Sequence, residues 1–236
     1  MCPIVVLLND TVSNKLNVDC LQLSLDDGQS WTQDEAIKYP PQKNVGGLVG
    51  PSVGIQAADG TIYFSTRGAG AVVGTGGWLY WSKDFGKTWR ASAATKGAAS
   101  ECSIAFKVSA ADGAILMNCR TGTHNRAQLE WNANGTLLKP AVFPKELIDP
   151  GCQGSLINQD GVLHTSNANT TSGRTHVTVK SSTDQGASWS QGSLVWEGPS
   201  GYSQLVSVGD PKIVGILLEA GRKSTYETIS FAVVAL

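Results

Sequence analysis

The sequence predicts an all-β chain built as a β-propeller, and three observations carry that prediction. A pattern of eight residues, Ser-x-Asp-x-Gly-x-(Ser/Thr)-Trp, occurs three times, at residues 24–31, 82–89 and 182–189. Its aspartates stand 58 residues apart (Asp26 to Asp84) and then 100 apart (Asp84 to Asp184). Those steps fit one and two units of a repeat of about 50 residues, a length that suits a four-stranded propeller blade. Finally, 27 glycines punctuate β-branched runs, and stretches of helical period are hard to find.

Each copy reads as a hairpin tip. The Asp accepts hydrogen bonds from nearby backbone amides, as in an Asx turn. The Gly supplies positive φ without steric cost. The Ser or Thr hydroxyl satisfies another polar group of the turn, and the Trp buries a large ring as the next strand begins. Strand-like text precedes every copy, at residues 20–23, 78–81 and 177–180. Midway through the long gap, residues 131–137 (Trp-Asn-Ala-Asn-Gly-Thr-Leu) look like a decayed copy that kept the Gly turn and lost the Asp and the Trp. The repeated aspartates are read as structural, so catalytic groups belong on inner strands facing the propeller axis.

Bulk properties narrow the functional classes. The 236 residues carry a net charge of −1, with no basic block and no acidic tail, which gives no support for nucleic acid or an anionic membrane as partner. No apolar run approaches the length of a transmembrane helix. Residues 1–10 lack the charged n-region and h-region length of a signal peptide and read as a buried strand. Five cysteines, at positions 2, 20, 102, 119 and 152, form an odd set without metal-ligand spacing and read as reduced core cysteines.

Five residues stand out as chemistry. Glu101 opens a strand (100–106) otherwise suited to burial. Arg120 ends an apolar strand (114–120), and Arg174 follows a strand (161–167) and a Ser/Thr/Asn loop. Inward arginines on separate blades suit a carboxylated substrate, because guanidinium offers bidentate, charge-assisted hydrogen bonds. On spacing alone, surface arginines in ion pairs are the plainer reading. Tyr202 sits at the mouth of a strand (201–205), and Glu219 ends another (215–219). A lone Tyr is usually packing. Beside a carboxylate base it becomes a nucleophile, since the base takes the phenol proton as the oxygen attacks.

These residues, taken in order, resemble the Asp-box exo-α-sialidases (neuraminidases), most closely the animal-type branch. The markers are the three boxes, residues 50–56 (Gly-Pro-Ser-Val-Gly-Ile-Gln), Glu101-Cys102, Asn118-Cys119-Arg120, residues 151–155 (Gly-Cys-Gln-Gly-Ser), residues 202–205 (Tyr-Ser-Gln-Leu), Leu218-Glu219 and residues 226–231 (Tyr-Glu-Thr-Ile-Ser-Phe). The resemblance implies a six-bladed propeller with the active site at its axis and one sialidase-like domain over residues 1–236. It implies retaining hydrolysis of terminal sialic acids from glycoproteins, glycolipids and oligosaccharides, without a metal or organic cofactor. Sialidases use Tyr where most retaining glycosidases use a carboxylate. By resemblance Tyr202 is the nucleophile and Glu101 its base. Arg120 and Arg174 are two of three arginines that clamp the substrate carboxylate, and Glu219 orients the third.

Two family elements are not recognisable. The third arginine belongs to an early Phe/Tyr-Arg-Ile-Pro segment, and an Asp shortly after it serves as general acid and base. Arg67 is the first arginine here and follows the first box; Asp10 and Asp19 stand too close to that box. Four to five repeats are present, whereas six blades of about 50 residues need roughly 300. The simplest expectation is a chain that starts inside the family domain near its second blade, with open propeller edges that favour self-association. The compartment follows the same choice: cytoplasmic for a complete chain, lysosomal or secreted for one with more sequence upstream. General acid–base catalysis contributes about 10²–10⁴-fold, so this polypeptide alone is expected to have weak or no sialidase activity. The alternatives are a noncatalytic propeller that binds sialoglycans or a protein, and a sialyl-transferring relative that shares the same residues.

Overall fold

The computed structural model describes residues 4–10, 18–24, 26–32, 35–36, 47–68, 76–95, 100–108 and 113–236. They form five antiparallel sheets that follow one another along the chain as blades of an incomplete β-propeller. The first sheet holds β1 (Ile4–Asp10), β2 (Val18–Ser24) and β3 (Glu35–Ala36). The second holds β4 (Gly47–Val49), β5 (Ile55–Gln56), β6 (Ile62–Gly68), β7 (Leu79–Ser82) and β8 (Arg90–Ala91), with β4 and β5 both paired to β6. The third runs β9 (Ser100–Phe106), β10 (Ile115–Arg120), β11 (Ala127–Trp131) and β12 (Leu137–Val142). The fourth runs β13 (Ser155–Gln159), β14 (Val162–Ala168), β15 (Val177–Ser182) and β16 (Ser193–Trp196). The fifth holds β17 (Ser200–Ser207), β18 (Ile213–Ala220) and β19 (Thr228–Ala235). The leading strands lie against one another, β9 on β13 and β13 on β17, which places them along the shared axis.

Strand alternation explains how these sheets stack. Successive side chains point to opposite faces, and both faces of the middle sheets are apolar. In the third sheet, Cys102, Ile104, Ile115, Met117, Leu129 and Trp131 pack against Tyr63, Leu79 and Trp81 of the second. The opposite face, through Ala105 and Leu116, meets Leu156, Leu163 and Trp189 of the fourth. Val177 and Val179 of the fourth then meet Leu205, Val214, Ile216 and Leu218 of the fifth. On the other face of the fifth sheet, Leu217, Ile229, Phe231 and Val233 are between 46% and 71% exposed among the described residues.

The repeated pattern does what its residue types require. In the third copy, Asp184 Oδ1 accepts the Ser188 amide at 2.9 Å, Oδ2 accepts the Ser188 hydroxyl at 2.5 Å, and the Ser182 hydroxyl donates to Oδ1 at 2.8 Å. The copies at Asp26 and Asp84 repeat this network. Trp89 and Trp189 are buried, while Trp31 is 40% exposed. The decayed copy links β11 to β12, and there Asn132 Oδ1 accepts the Thr136 amide at 2.8 Å, standing where the Asp would be. Every copy joins the last two strands of its sheet, which is why the spacing counts blades.

The cysteines depart from the reduced reading. Cys102 and Cys119 are directly opposite on β9 and β10 and form a disulfide, with Cα atoms 4.0 Å apart. Strand register, invisible in the 17-residue separation, makes the pair. Cys152 is a buried free thiol. The side chains of Cys2 and Cys20, and of Arg67, lie outside the described residues.

Candidate active site

Two leading strands break their register at the residues of interest. On β9, Cys102 pairs with Cys119 but Ser100 pairs with Arg120, so Glu101 is the extra residue of a bulge. Its φ of 45° is unusual for a non-glycine residue. On β17, Ser203 pairs with Leu218 but Ser200 pairs with Ala220, so a second irregularity falls at Gly201 and Tyr202. Bulges leave a residue unpaired and re-aim its side chain. Here they turn Glu101 and Tyr202 toward each other: the Tyr202 hydroxyl donates to Glu101 Oε1 at 2.6 Å.

The other Glu101 oxygen, Oε2, accepts from Arg120 Nη1 at 2.7 Å. Glu101 is 4% exposed, so this ion pair is largely withdrawn from water on the carboxylate side. Burial works against the Arg120 charge, but the hydrogen bond and charge of Glu101 outweigh it and raise the guanidinium pKa further. The Tyr202 phenol is pushed up to about 12 by burial first, then by the Glu101 hydrogen bond and negative charge, with Arg120 opposing. At neutral pH the phenol is therefore protonated, with its proton already aimed at a carboxylate.

Arg174 stands in the loop between β14 and β15. Its Nη2 reaches the Gly151 carbonyl at 3.4 Å and its Nη1 reaches the Tyr226 hydroxyl at 3.2 Å. Burial raises the pKa of the neighbouring Cys152 thiol, and the positive charges of Arg174 and Arg120 oppose that rise. Glu219 approaches from β18, where its Oε2 accepts the Tyr202 amide at 2.8 Å. A Cβ on Gly201 would sit 2.1 Å from that oxygen, so only glycine permits the approach. An open concavity of about 200 Å³ lies beside Tyr202 and Glu219 and is lined also by Pro51, Gln153, Leu217 and Ile229, but not by Glu101, Arg120 or Arg174. Among the described residues, no group of three or more His, Cys, Asp and Glu is arranged to hold a metal ion. No helix among them is long and apolar enough to cross a membrane.

Four of the five residues singled out in the sequence are joined by hydrogen bonds, Tyr202–Glu101–Arg120 and Glu219–Tyr202, while Arg174 bonds to Gly151 and Tyr226. The arrangement sets a neutral phenol against a carboxylate that also holds a guanidinium, groups chemically able to deliver a nucleophile and take up its proton. The sequence reading gave no role to Tyr226, Arg126, Asp149 or Gln153. Arg126 and Asp149 are both fully buried; an Arg inside the strand-like text 125–131 was the available signal, since a buried charge demands a partner.

The family model of the BNR repeat-like domain matches residues 6–216. The chain belongs to the Asp-box exo-α-sialidase family. A sialidase of Bacteroides fragilis is 31% identical over 217 residues, covering 85% of this chain and 39% of its own length. An exo-alpha-sialidase of Arthroderma benhamiae is 30% identical, covering 85% of this chain and 49% of its own length. Among solved structures, Hadza microbial sialidase Hz136 superimposes with a TM-score of 0.77 at 30% identity, over 93% of this chain and 44% of that one. The chain therefore spans less than half the length of each of these three relatives.

Proposed function

We propose that this chain carries the nucleophilic half of a retaining exo-α-sialidase site. The observation that supports it most is the 2.6 Å hydrogen bond from the Tyr202 phenol to Glu101, with Arg120 on the far carboxylate oxygen. Tyr202 attacks the anomeric carbon of a terminal sialic acid while its proton passes to Glu101 Oε1; the glycosidic bond breaks, and the aglycone oxygen leaves with the bonding electrons and takes a proton from solvent water. A neutral nucleophile suits this substrate, whose own carboxylate, beside the anomeric carbon, would repel an anionic one. Arg120 and Arg174 receive that carboxylate. Glu219 anchors the Tyr202 backbone. Water then attacks the anomeric carbon and gives up a proton to solvent, the bond to the Tyr202 oxygen breaks, Glu101 returns its proton to that oxygen, and the sugar leaves with its configuration retained.

The acid–base Asp and the third arginine of the resemblance are not recognised in the sequence, so weak turnover is expected from this polypeptide. Kinetics with a fluorogenic sialoside test the reading. Tyr202→Phe and Glu101→Gln should each remove at least about 10²-fold of whatever kcat/KM the wild-type chain has. Arg120→Lys should raise KM. Unchanged kinetics in Tyr202→Phe would contradict the assignment.

A binding module that recognises sialoglycans without turnover is the second reading, favoured by the same two missing residues. It keeps the dependence on Arg120 and Arg174 but not on Tyr202. We also propose that the open propeller self-associates at its end, where the fifth sheet presents Phe231 and Val233. These two side chains are of the apolar kind that the middle sheets bury against a neighbour, and exposed apolar patches mark interaction surfaces.

A further inference from the structure

Arg126 and Asp149 are fully buried and touch no group assigned a part in the chemistry. Their charges lie 3.9 Å apart, Arg126 Nη1 to Asp149 Oδ1. Desolvation offsets much of the attraction in such a pair, so stability alone is a poor reason for it. The hydrogen bonds give a better one. Asp149 Oδ2 accepts the amide of Thr121, the residue after Arg120, at 3.0 Å. Asp149 Oδ1 accepts the amides of Gly151 and Cys152 at 3.0 and 2.9 Å. The Gly151 carbonyl in turn takes Arg174 Nη2. One carboxylate therefore ties down the backbone beside Arg120 and the segment that holds Arg174.

Arg126 fixes the same segment from below. Its Nη1 donates to the Cys152 carbonyl at 3.0 Å, and its Nε donates to Asn118 Oδ1 at 2.6 Å, on the strand that ends in Arg120. A Cβ on Gly154 would lie 2.6 Å from the Ser166 carbonyl oxygen and 2.9 Å from Arg126 Cζ, so both the neighbouring strand and the buried guanidinium require glycine there.

We infer that Asp149, held by Arg126, is a positioning residue that sets the separation of the Arg120 and Arg174 guanidiniums. It thereby sets how both meet one carboxylate. That last clause rests on the proposed function; the positioning itself does not.

The test is Asp149→Asn, which keeps the shape but turns one acceptor into a donor facing the Thr121 amide. The side-chain Nε–H resonances of Arg120 and Arg174, assigned with Arg120→Lys and Arg174→Lys, report their positions without a ligand. Calorimetry then compares 2,3-didehydro-2-deoxy sialic acid with its methyl ester. In the folded variant both resonances should shift, and affinity for the free acid should fall about 10–100-fold, the scale of an ångström of misplacement. The ester should bind the variant as it binds the wild type. Merely structural roles would lower the melting temperature and leave both resonances in place, and that result overturns the inference. Should Asp149→Asn fail to fold, Arg126→Lys replaces it: the Arg174 resonance should move more than that of Arg120, and no movement again overturns the inference. If the wild type binds neither ligand while the resonances move, the positioning stands and the proposed function falls.

Discussion

Tyr202 and Glu101, 101 residues apart in the chain, share a hydrogen bond of 2.6 Å whose donor is the phenol. Each lies at a register break on a leading strand, and each is braced by a neighbour, Tyr202 by Glu219 at its amide and Glu101 by Arg120 at its second oxygen. The phenol proton already points at a carboxylate oxygen. That preorganisation is what a proton transfer coupled to attack requires.

The phenol titration is the first consequence. Wild-type protein minus Tyr202→Phe, followed by ultraviolet absorbance, should show one tyrosine ionising near pH 12 rather than near 10. Glu101→Gln should bring that transition down toward 10, because the negative charge is gone. The folded pKa lies above the unfolded one, so this group's contribution to stability is complete below about pH 10 and is lost as pH rises to about 12. A Tyr202 transition at its ordinary position would break the link to Glu101.

Acid stability follows the boxes. Hydrogen bonds from the Ser30, Thr88 and Ser188 side chains and amides, with those from the Ser24, Ser82 and Ser182 hydroxyls, hold Asp26, Asp84 and Asp184 down at about 2. Here the folded pKa is depressed, so the stabilisation is present above about pH 4 and is lost as pH falls toward 2. Asp184 is exposed and Asp26 and Asp84 are partly so, and solvent around them keeps the contribution to stability modest. Asp184→Asn should flatten the pH dependence of the urea midpoint in that window and lower Tm at pH 7 by about 2–4 °C. An unaltered slope between pH 4 and 2 would show that the boxes do not carry it.

Reduction should reach both stability and site. The Cys102–Cys119 disulfide spans 17 residues, a loop length for which chain entropy gives about 3 kcal/mol. At this chain size that corresponds to about 6–12 °C in Tm. Glu101 and Arg120 adjoin the two cysteines, so Cys102→Ala/Cys119→Ala should also weaken free-acid binding. Calorimetric scans with and without reductant measure the first effect; identical scans would mean that the bond is not formed in solution.

Self-association should depend on the fifth sheet. Sedimentation velocity should show mass rising with concentration for the wild type, and Phe231→Glu with Val233→Lys should return the chain to a monomer. A wild type that stays monomeric over the same range would leave that face without a second copy on it.

Much of the architecture was legible in the sequence because the boxes are local. Asp184, Gly186 and Ser188 satisfy one another within a few residues, so their identities and spacing suffice. Glu101, Arg120, Arg174, Tyr202 and Glu219 were legible as strand-terminal polar residues and by resemblance. What brings them together was not. The bulges at Glu101 and Tyr202 depend on strand register, as does the disulfide that was read as two thiols. The buried Arg126–Asp149 pair needs a loop 23 residues away to explain it, and no short-range pattern carries that information.

The central claim is that Tyr202 is the nucleophile and Glu101 its base. The direct measurement is mass spectrometry of the chain after incubation with a 2,3-difluoro sialic acid. Fluoride leaves without a proton donor, so the experiment reports the nucleophile and base even where general-acid catalysis is weak. The fluorine at C3 slows breakdown of the glycosyl-enzyme, which then accumulates. The account predicts one sugar adduct on the peptide carrying Tyr202, absent in Tyr202→Phe and formed much more slowly in Glu101→Gln. An adduct on another residue, or none on Tyr202 of the wild type, would contradict it.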